Sequence, residues 1–398
     1  MKSSQFRPFR KVCILVFDGA GIGAAPDCAD FGDPPTVNTL GNTARAVGGL
    51  VAPNLQRMGL GNLTDIAGIL PNQTPLGFAL RMTEMSAGKD TPTGHWEMVG
   101  VNTTEPFVVY NPRFPDEIVR EFEQKSGYQV LGNCVASGTV ILDELGPEHL
   151  RTGKPILYTS ADSVFQVAAH EQVMPIEELH RICLVARDML DKYRVGRVIA
   201  RPFVGTEGHW KRTYNRRDYS MLPPKGTLLD LLTQAKIRVI GVGKIQDIFA
   251  AQGVTESIHS EGNDDGMELT IQAVKDLDQG LIFTNLVDFD ALYGHRRDPQ
   301  GFANAVTKAD AELPAMLEAL GEDGLLAITA DHGNDPTYLA TTDHTRELVP
   351  LLFASKRFTT GRDLGTSTSF AALGATLAQN FGVGHLAIGK SYLDELVN

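Results

Sequence analysis

Short apolar runs separated by amphipathic stretches set the pattern of this chain. Runs of six or seven residues are typical of fully buried strands in a parallel sheet, and we predict strands over residues 11–17, 238–243, 281–287, 325–330 and 348–353. The stretches between several of them repeat apolar residues at helical spacing, which predicts helices over residues 227–235, 268–277 and 301–320. Pro314 lies inside the last of these stretches and argues against a helix there. The alternation predicts an α/β fold, a mostly parallel sheet with helices on both faces.

The alternation is interrupted in the middle of the chain. Linker-like segments lie at residues 111–115 and 221–225. Between them the periodicity predicts further elements, namely helices over residues 116–125 and 175–193 and strands over residues 155–159 and 196–200. We therefore predict a discontinuous core domain, residues 1–104 and 221–398, with a smaller α/β cap domain inserted at residues 105–220.

Composition and charge narrow the classes of partner. The chain has 398 residues and 42% hydrophobic content, enough for sizeable cores, and Lys+Arg 36 against Asp+Glu 48 gives a net charge of −12. This balance argues against nucleic acid or an anionic membrane surface as the main partner, but it allows a local cationic pocket for a phosphate. The four cysteines are scattered without a C-x-x-C pair, so we expect neither a disulfide framework nor a zinc knuckle.

The sequence also carries no targeting or membrane signal that we can identify. No run approaches the roughly 20 apolar residues that a membrane span needs. The basic residues at the start precede an apolar run that is too short for a signal peptide and that ends at Asp18. We therefore expect a cytoplasmic, soluble protein with no membrane partner.

The first candidate for chemistry is Asp331-His332-Gly333-Asn334, directly after the predicted strand at 325–330. In open α/β sheets, ligands bind beyond the carboxyl ends of the strands, and a carboxylate beside an imidazole can hold a divalent metal there. The same residue types are also typical of a turn. Taken alone, the motif leaves metal ligation and a simple turn as alternatives.

Further carboxylates and imidazoles lie beside other predicted strands. Asp18 follows the first strand, and Asp290 with His295 follows the strand at 281–287. His344 lies in a polar loop before the last strand. Such mixed donors suit Mn²⁺ or Zn²⁺ better than an all-oxygen Ca²⁺ site. Together with the first motif they make three Asp and three His, enough for two metals about 3.5–4 Å apart, an arrangement that promotes phosphoryl transfer.

A polar, glycine-containing loop from Ser86 to Glu97 leads into a predicted helix start around Thr91 and Pro92. Helix N-termini offer free N–H groups and bind anions readily. Thr91 has two interpretations, an N-cap that only begins the helix or a nucleophile held over a metal.

These motifs together resemble the alkaline phosphatase superfamily, and within it the phosphopentomutase family. The resemblance is carried by residues 88–97, 158–164 and 290–298, together with Asp18-Gly19, Asp331 to Asn334 and His344, so it spans the chain. Sulfatases have a C-x-P-x-R motif that is absent here. The related cofactor-independent phosphoglycerate mutases have a serine nucleophile, a larger inserted domain and one residue fewer between the Asp and His that correspond to Asp290 and His295.

The resemblance implies an alkaline-phosphatase-like core, an inserted cap and two metals, usually Mn²⁺. It implies that Thr91 carries the transferable phosphate and contacts the second metal. The metal ligands would form two sets, Asp290, His295 and His344 for one ion and Asp18, Asp331 and His332 for the other.

The implied reaction interconverts α-D-ribose 1-phosphate, or its 2-deoxy analogue, and the 5-phosphate through a pentose 1,5-bisphosphate, with a sugar bisphosphate as activator. Lys244 and Arg201 are candidates for binding the distal phosphate, and Asp162 is a candidate for the sugar hydroxyls. Another phosphotransferase or a metal-dependent phosphatase is the main alternative. A non-catalytic binding protein of the same fold is a further one, and it predicts gaps in the ligand set, of which the sequence has none.

Overall fold

A computed structural model describes residues 9–160 and 163–397. The chain divides into two compact units, one formed by Met1–Glu105 with Pro223–Asn398 and the other by Pro106–Leu222. These limits lie within two residues of the domain boundaries proposed from the sequence. No described helix combines the length and the apolar character needed to cross a membrane.

The strands and helices alternate through most of the described chain. The strands are β1 (Lys11–Phe17), β2 (Phe78–Met82), β3 (Leu131–Val135), β4 (Ile156–Thr159), β5 (Val164–His170), β6 (Arg197–Val204), β7 (Lys211–Arg212), β8 (Arg217–Ser220), β9 (Arg238–Val242), β10 (Glu256–Ile258), β11 (Gly280–Leu286), β12 (Gly324–Thr329), β13 (Val349–Ala354) and β14 (Arg362–Ser367). The helices are α1 (Thr39–Val47), α2 (Pro53–Met58), α3 (Thr91–Met98), α4 (Asp116–Ser126), α5 (Val140–Thr152), α6 (Ile176–Leu190), α7 (Leu228–Gln234), α8 (Ile245–Ile248), α9 (Asn263–Asp276), α10 (Pro299–Leu320), α11 (Ala371–Phe381) and α12 (Leu393–Val397).

The first unit is built on a sheet whose described strands have the order β10-β9-β11-β1-β12-β13-β2-β14. Its central strands β11, β1 and β12 are parallel and almost entirely buried, which explains why they appear in the sequence as continuous apolar runs. β13 runs antiparallel to both of its neighbours. A parallel neighbour needs a long crossover, usually a helix, whereas the segment between β12 and β13 contains no helix. The α/β fold predicted from the sequence is confirmed.

The helix predicted over residues 301–320 is confirmed, because α10 continues through Pro314 without a break. Proline has no N–H group, so it cannot bond to the carbonyl of Asp310 four residues earlier. The side chain of Asn54 compensates, because its Nδ2 donates to that carbonyl at 3.0 Å. The backbone and side-chain amides of Asn54 also donate to the Asp310 carboxylate.

Two predicted helix boundaries differ from the structure by three residues or more. The helix predicted over 268–277 already begins at Asn263, because the carboxylate of Asp288 accepts its backbone N–H at 2.7 Å and replaces an intrahelical partner. The helix predicted over 175–193 ends at Leu190, and a 3₁₀ turn, Asp191–Tyr193, follows it.

The second unit has its own sheet and its own core. The described strands are ordered β3-β4-β5-β6-β7. β7 pairs with the end of β6, and β8 pairs with its beginning. Helices α4 and α6 pack on this unit through an aromatic and aliphatic cluster that includes Phe114, Phe122 and Phe165. Separate cores of this kind are the physical basis for calling the two parts distinct units.

Candidate metal centre

The carboxyl ends of three neighbouring strands bring acidic side chains to one edge of the first sheet. β1 lies between β11 and β12, with its last residues level with theirs. Asp18, Asp290 and Asp331 follow these strand ends, and all three carboxylates are buried. Asp290 lies in a single π-type turn, Phe289–Gly294, a rare conformation that occurs mostly at functional sites.

Asp18, Asp331 and His332 form the deeper group. One ligand atom from each lies within 4.8 Å of the others, and all three side chains are buried. His332 Nε2 is 3.4 Å from Asp18 Oδ1 and 3.4 Å from Asp331 Oδ2. The three residues are therefore close enough to share one cation.

A second group lies beside the first and shares His332 with it. Asp290, His332 and His344 offer ligand atoms within 4.8 Å of one another, with His344 Nε2 3.5 Å from Asp290 Oδ1. His295 lies against the other oxygen of Asp290, at 3.2 Å, and its ring centre is 4.8 Å from that of His344. All six predicted ligands thus occupy one region, although which of them share an ion stays a prediction.

The cluster has the properties of a cation site. Asp18 Oδ1, Asp331 Oδ2 and His344 Nε2 are buried and have no hydrogen-bond partner among the described residues. Burial raises the pKa of Asp18, and the carboxylates of Asp331 and Asp290 raise it further. Unpartnered buried charge is costly, and a bound cation removes this cost. The donors, carboxylate oxygen and imidazole nitrogen, fit Mn²⁺ or Zn²⁺.

The carboxylates also shift the pKa of His332, the histidine shared by both groups. Burial works against a charged His332 imidazole, but Asp331 and Asp18 outweigh burial and raise its pKa well above the usual value. For Asp290, burial is outweighed by His344 and His295, which hold the pKa of this carboxyl well below its usual range. Both directions indicate that positive charge is favoured among these carboxylates.

Two buried asparagines orient the acidic side chains. Asn285 Nδ2 donates to Asp18 Oδ2 at 2.8 Å, and Asn334 Nδ2 donates to Asp290 Oδ1 at 2.7 Å. The backbone N–H of Gly19 donates to Asp331 Oδ1 at 3.0 Å. Partners of this type fix the orientation of metal ligands and tune their affinity. Each of the three carboxylates is thereby fixed by one amide, which leaves another oxygen for a metal.

Thr91 is the first residue of α3, and Asp90, not Thr91, is the N-cap. The Asp90 carboxylate accepts from the backbone N–H and the hydroxyl of Thr93, at 3.0 and 2.8 Å. The N-cap interpretation of Thr91 is therefore wrong, because the aspartate before it has taken that position. The Thr91 hydroxyl does not cap the helix and lies 3.1 Å from His332 Nε2, beside the deeper group.

The candidate residues for binding substrate lie in different units. Lys244 is an exposed residue of the first unit and follows the carboxyl end of β9, the strand next to β11. Arg201 lies on β6 of the second unit, where it lines a cavity of about 230 Å³ together with Arg197, Arg212 and Arg216. Its Nη2 donates to Gln166, whereas its buried Nε has no partner among the described residues. Asp162 lies outside the described residues.

The sequence analysis did not single out Asn285 or Arg346 as parts of this region. Asn285 had a signal, a polar side chain inside the apolar run of β11. Arg346 follows His344 by two positions and is among the largest fully buried side chains of the described chain. A buried arginine has no recognisable pattern in a single sequence, because its partners are distant along the chain.

Comparison with known proteins identifies the family. Residues 10–385 match the model of the metalloenzyme superfamily. The phosphopentomutase of Anaeromyxobacter sp. (strain K) is 56% identical over 97% of this chain and 99% of that protein. The phosphopentomutase of Desulfitobacterium hafniense (strain DSM 10664 / DCB-2) is 52% identical over 98% of this chain and 100% of that protein.

A solved structure agrees with this assignment at the level of the fold. The PH0037 protein from Pyrococcus horikoshii superposes with a TM-score of 0.50 at 15% sequence identity, covering 97% of this chain and 100% of that one. The fold is alkaline-phosphatase-like, as the sequence analysis predicted. The near-complete coverage at more than half identity shows that the chain belongs to the phosphopentomutase family of enzymes.

Proposed function

We propose that the protein interconverts the 1-phosphate and the 5-phosphate of ribose or 2-deoxyribose, with Thr91 as the residue that carries the transferred phosphate. The observation that supports this role most directly is the 3.1 Å distance between Thr91 Oγ1 and His332 Nε2, at a buried Asp/His cluster. An ordinary threonine hydroxyl is a weak nucleophile and needs activation by its surroundings.

We assign two divalent metals, Mn²⁺ in the first place and Zn²⁺ as a second choice, to the cluster of three Asp and three His. When bound, they would stabilise negative charge on the phosphoryl oxygens and on the oxygen of Thr91. Asp18, Asp331 and His332 would hold the ion next to Thr91. Asp290, His295 and His344 would hold the other, with His332 close enough to contribute as well.

The proposed turnover consists of two phosphoryl transfers. In the first, the bond between phosphorus and Thr91 Oγ1 breaks, a bond from phosphorus to the free sugar hydroxyl forms, and the hydroxyl proton passes to Thr91. The pentose 1,5-bisphosphate then returns its other phosphate to Thr91, and the proton goes back to the sugar oxygen. A sugar bisphosphate would supply the first phosphate by the same transfer.

Substrate binding in this scheme depends on cations outside the metal cluster. The guanidinium of Arg201 has a buried Nε without a described partner, and burial lowers the pKa of Arg201 because the charged form loses water. An anion in this cavity would pair with that N–H group and offset the cost of burying the charge. Lys244 is the candidate cation of the first unit, and Asp162 stays our candidate for the sugar hydroxyls. Water must be excluded from phospho-Thr91, since its attack there would release free phosphate.

A single assay separates this function from the main alternative. The protein is incubated with Mn²⁺, a sugar bisphosphate and ribose 1-phosphate, and ribose 5-phosphate and free phosphate are followed in parallel. A mutase converts the substrate with little release of phosphate, whereas a phosphatase releases one phosphate for each sugar consumed.

The Thr91→Ala variant tests the nucleophile in the same assay. It should lose turnover but still bind Mn²⁺, and Thr91→Ser, which retains a hydroxyl, should restore part of the activity. Full activity of Thr91→Ala would refute the assignment.

A further inference from the structure

Arg346 donates several hydrogen bonds to the loop that leads to Thr91. Its side chain is buried, in the segment between His344 and β13. Nη1 donates to Glu84 Oε2 at 2.6 Å and to the carbonyls of Ser86 and Gly88 at 2.9 and 2.6 Å. Nη2 donates to the carbonyl of Glu84 at 2.7 Å. The loop therefore accepts hydrogen bonds from one guanidinium at three alternate residues.

The other side of the same guanidinium is fixed independently of the loop. Nε and Nη2 donate to the two carboxylate oxygens of Asp27, at 3.1 and 2.9 Å. The guanidinium also lies over the ring of Phe31, 4.3 Å from its centre. A planar guanidinium held on one edge and one face presents its remaining N–H groups in a fixed direction.

Asp33 links the backbone of Arg346 to the same loop. Asp33 Oδ2 accepts the backbone N–H of Arg346 at 2.7 Å and also accepts from Lys89 Nζ at 3.0 Å. The loop is thus attached at residues 84, 86, 88 and 89, and the last attachment lies two residues before Thr91. Arg346, which supplies the contacts at residues 84, 86 and 88, lies in the segment that begins directly after His344.

A contribution to stability alone does not explain this arrangement. Burying an ion pair such as Arg346 with Glu84 seldom stabilises a protein more than a well-packed apolar pair, because both charges lose water. The hydrogen bonds to the carbonyls of Ser86 and Gly88 involve neutral acceptors and are not part of an ion pair. The contacts with Glu84, Ser86 and Gly88 have in common that they fix the path of one loop.

We propose that Arg346, together with Asp33, is a positioning residue that holds the loop of residues 84–90 in the shape that places the Thr91 hydroxyl beside His332. The inference rests on the proposed role of Thr91. It also links the segment that carries His344 to the nucleophile, so that the two sides of the metal cluster are held in one frame. A misplacement of reacting groups by about 1 Å can cost on the order of 100-fold in rate.

The test compares Arg346→Lys with wild type in the full-length, Mn²⁺-loaded protein. Lysine keeps the charge but cannot bridge three carbonyls and two carboxylates. We expect kcat to fall about 100-fold, with KM within about twofold since the cations proposed to bind substrate are unchanged. Amide hydrogen exchange should accelerate in a peptide covering residues 84–94 and stay unchanged in the central strands β1, β11 and β12.

Arg357→Lys is the matched control. Arg357 also donates to a backbone carbonyl, that of Glu322, to the Asp323 carboxylate, and lies over the ring of Phe9. This cluster is at the opposite end of β12, which begins at Gly324. The control should show local changes in exchange there and wild-type kcat.

A second variant covers the case in which Arg346→Lys does not fold. Asp33→Asn weakens the attachment of Lys89 while leaving the Arg346 side chain in place, and we expect the same confined rise in exchange with a smaller, about tenfold, fall in kcat. Wild-type kcat in a folded variant, or faster exchange throughout the sheet, would overturn the proposal. Mass spectrometry of wild type incubated with Mn²⁺ and the sugar bisphosphate separates the two hypotheses, because absence of phosphate on Thr91 after this incubation refutes the nucleophile while the exchange result still tests the loop.

Discussion

Gly94 of helix α3 packs directly against the backbone carbonyl of Asp331, with no room for a side chain between them. A Cβ atom built on Gly94 would overlap the carbonyl oxygen of Asp331, which is backbone and cannot rotate away. Thr91, three residues earlier, is on the same short helix. The glycine therefore sets the distance between the helix that carries Thr91 and the segment that carries Asp331 and His332.

Gly94→Ala should displace α3 from the Asp/His cluster. Overpacking of this kind costs about 1–3 kcal/mol of the free energy of unfolding. A shift of Thr91 by about 1 Å would lower kcat by roughly 100-fold. Thermal unfolding and steady-state kinetics measure the two effects separately.

Gly266→Ala provides the comparison for that substitution. Gly266 is also a helical glycine of the first unit, but its nearest neighbours are side-chain atoms of Leu286 and Ser260, which can adjust. Alanine is the better helix former, so the change should be close to neutral. Equal losses of activity in Gly94→Ala and Gly266→Ala would contradict the close-packing argument.

Asn285 should contribute to metal affinity without being a ligand. Its Nδ2 donates to Asp18 Oδ2, so Asn285→Ala removes the bond that orients this carboxylate. Loss of such a partner typically weakens metal binding by about 10–100-fold. Titration calorimetry with Mn²⁺ measures the effect.

The corresponding control is Asn380→Ala. Asn380 is equally buried, but its amide bonds to the backbone of Phe9. The control should lower thermal stability and leave Mn²⁺ affinity unchanged. An unchanged affinity in Asn285→Ala would show that Asp18 is oriented by other groups.

The sequence carried enough information for the sheet and for the candidate ligands. Buried parallel strands appear as apolar runs, and polar residues at their carboxyl ends, such as Asp18 and Asp331, stand out against them. Local patterns of this kind need no knowledge of distant contacts. This is why the α/β fold and the gathering of the six Asp and His residues followed from the sequence.

The remaining features depend on contacts between residues that are far apart in the chain. Pro314 is tolerated because Asn54 donates to the carbonyl that the proline leaves free. Arg346 meets Gly88 across 258 positions. No period or spacing encodes such pairs, so neither the compensation for Pro314 by Asn54 nor the support of the Thr91 loop was predictable.

The second unit should lose stability in mild acid. His149 is buried, and its Nδ1–H donates to the carbonyl of Lys154 at 2.7 Å while its Nε2 accepts the backbone N–H of His170 at 2.8 Å. Because Nε2 accepts a hydrogen bond, these contacts require the neutral imidazole. Burial lowers the pKa of His149. The unfolded chain therefore binds the proton first, near the ordinary pKa of about 6.5, so this contribution is fully present above that pH and is lost as pH falls below it.

Fluorescence of Trp210, which packs on His170 and Phe203, provides a probe inside this unit. Chemical unfolding followed at pH 7.5 and at pH 5.5 should show a drop in stability that His149→Gln reduces. His209→Gln, at an exposed position of the same unit, should keep the wild-type dependence. The same pH dependence in His149→Gln would assign the effect to other groups.

Removal of divalent metal should destabilise the first unit in particular. Asp18, Asp290 and Asp331 are buried carboxylates in one cluster, and a bound cation offsets their repulsion and their loss of water. A ligand present at 100 times its dissociation constant stabilises the folded state by about 2.7 kcal/mol, which corresponds to a rise of roughly 5–10 °C in Tm for a domain of this size. Thermal unfolding with a chelator and with added Mn²⁺ measures the shift.

Asp331→Asn should abolish most of this shift in Tm, whereas Asp363→Asn, at a surface ion pair with Arg81, should retain it. If neither Mn²⁺ nor Zn²⁺ raised the Tm of wild type, the cluster would not be a site for these metals, because an ion that binds only the folded state must stabilise it.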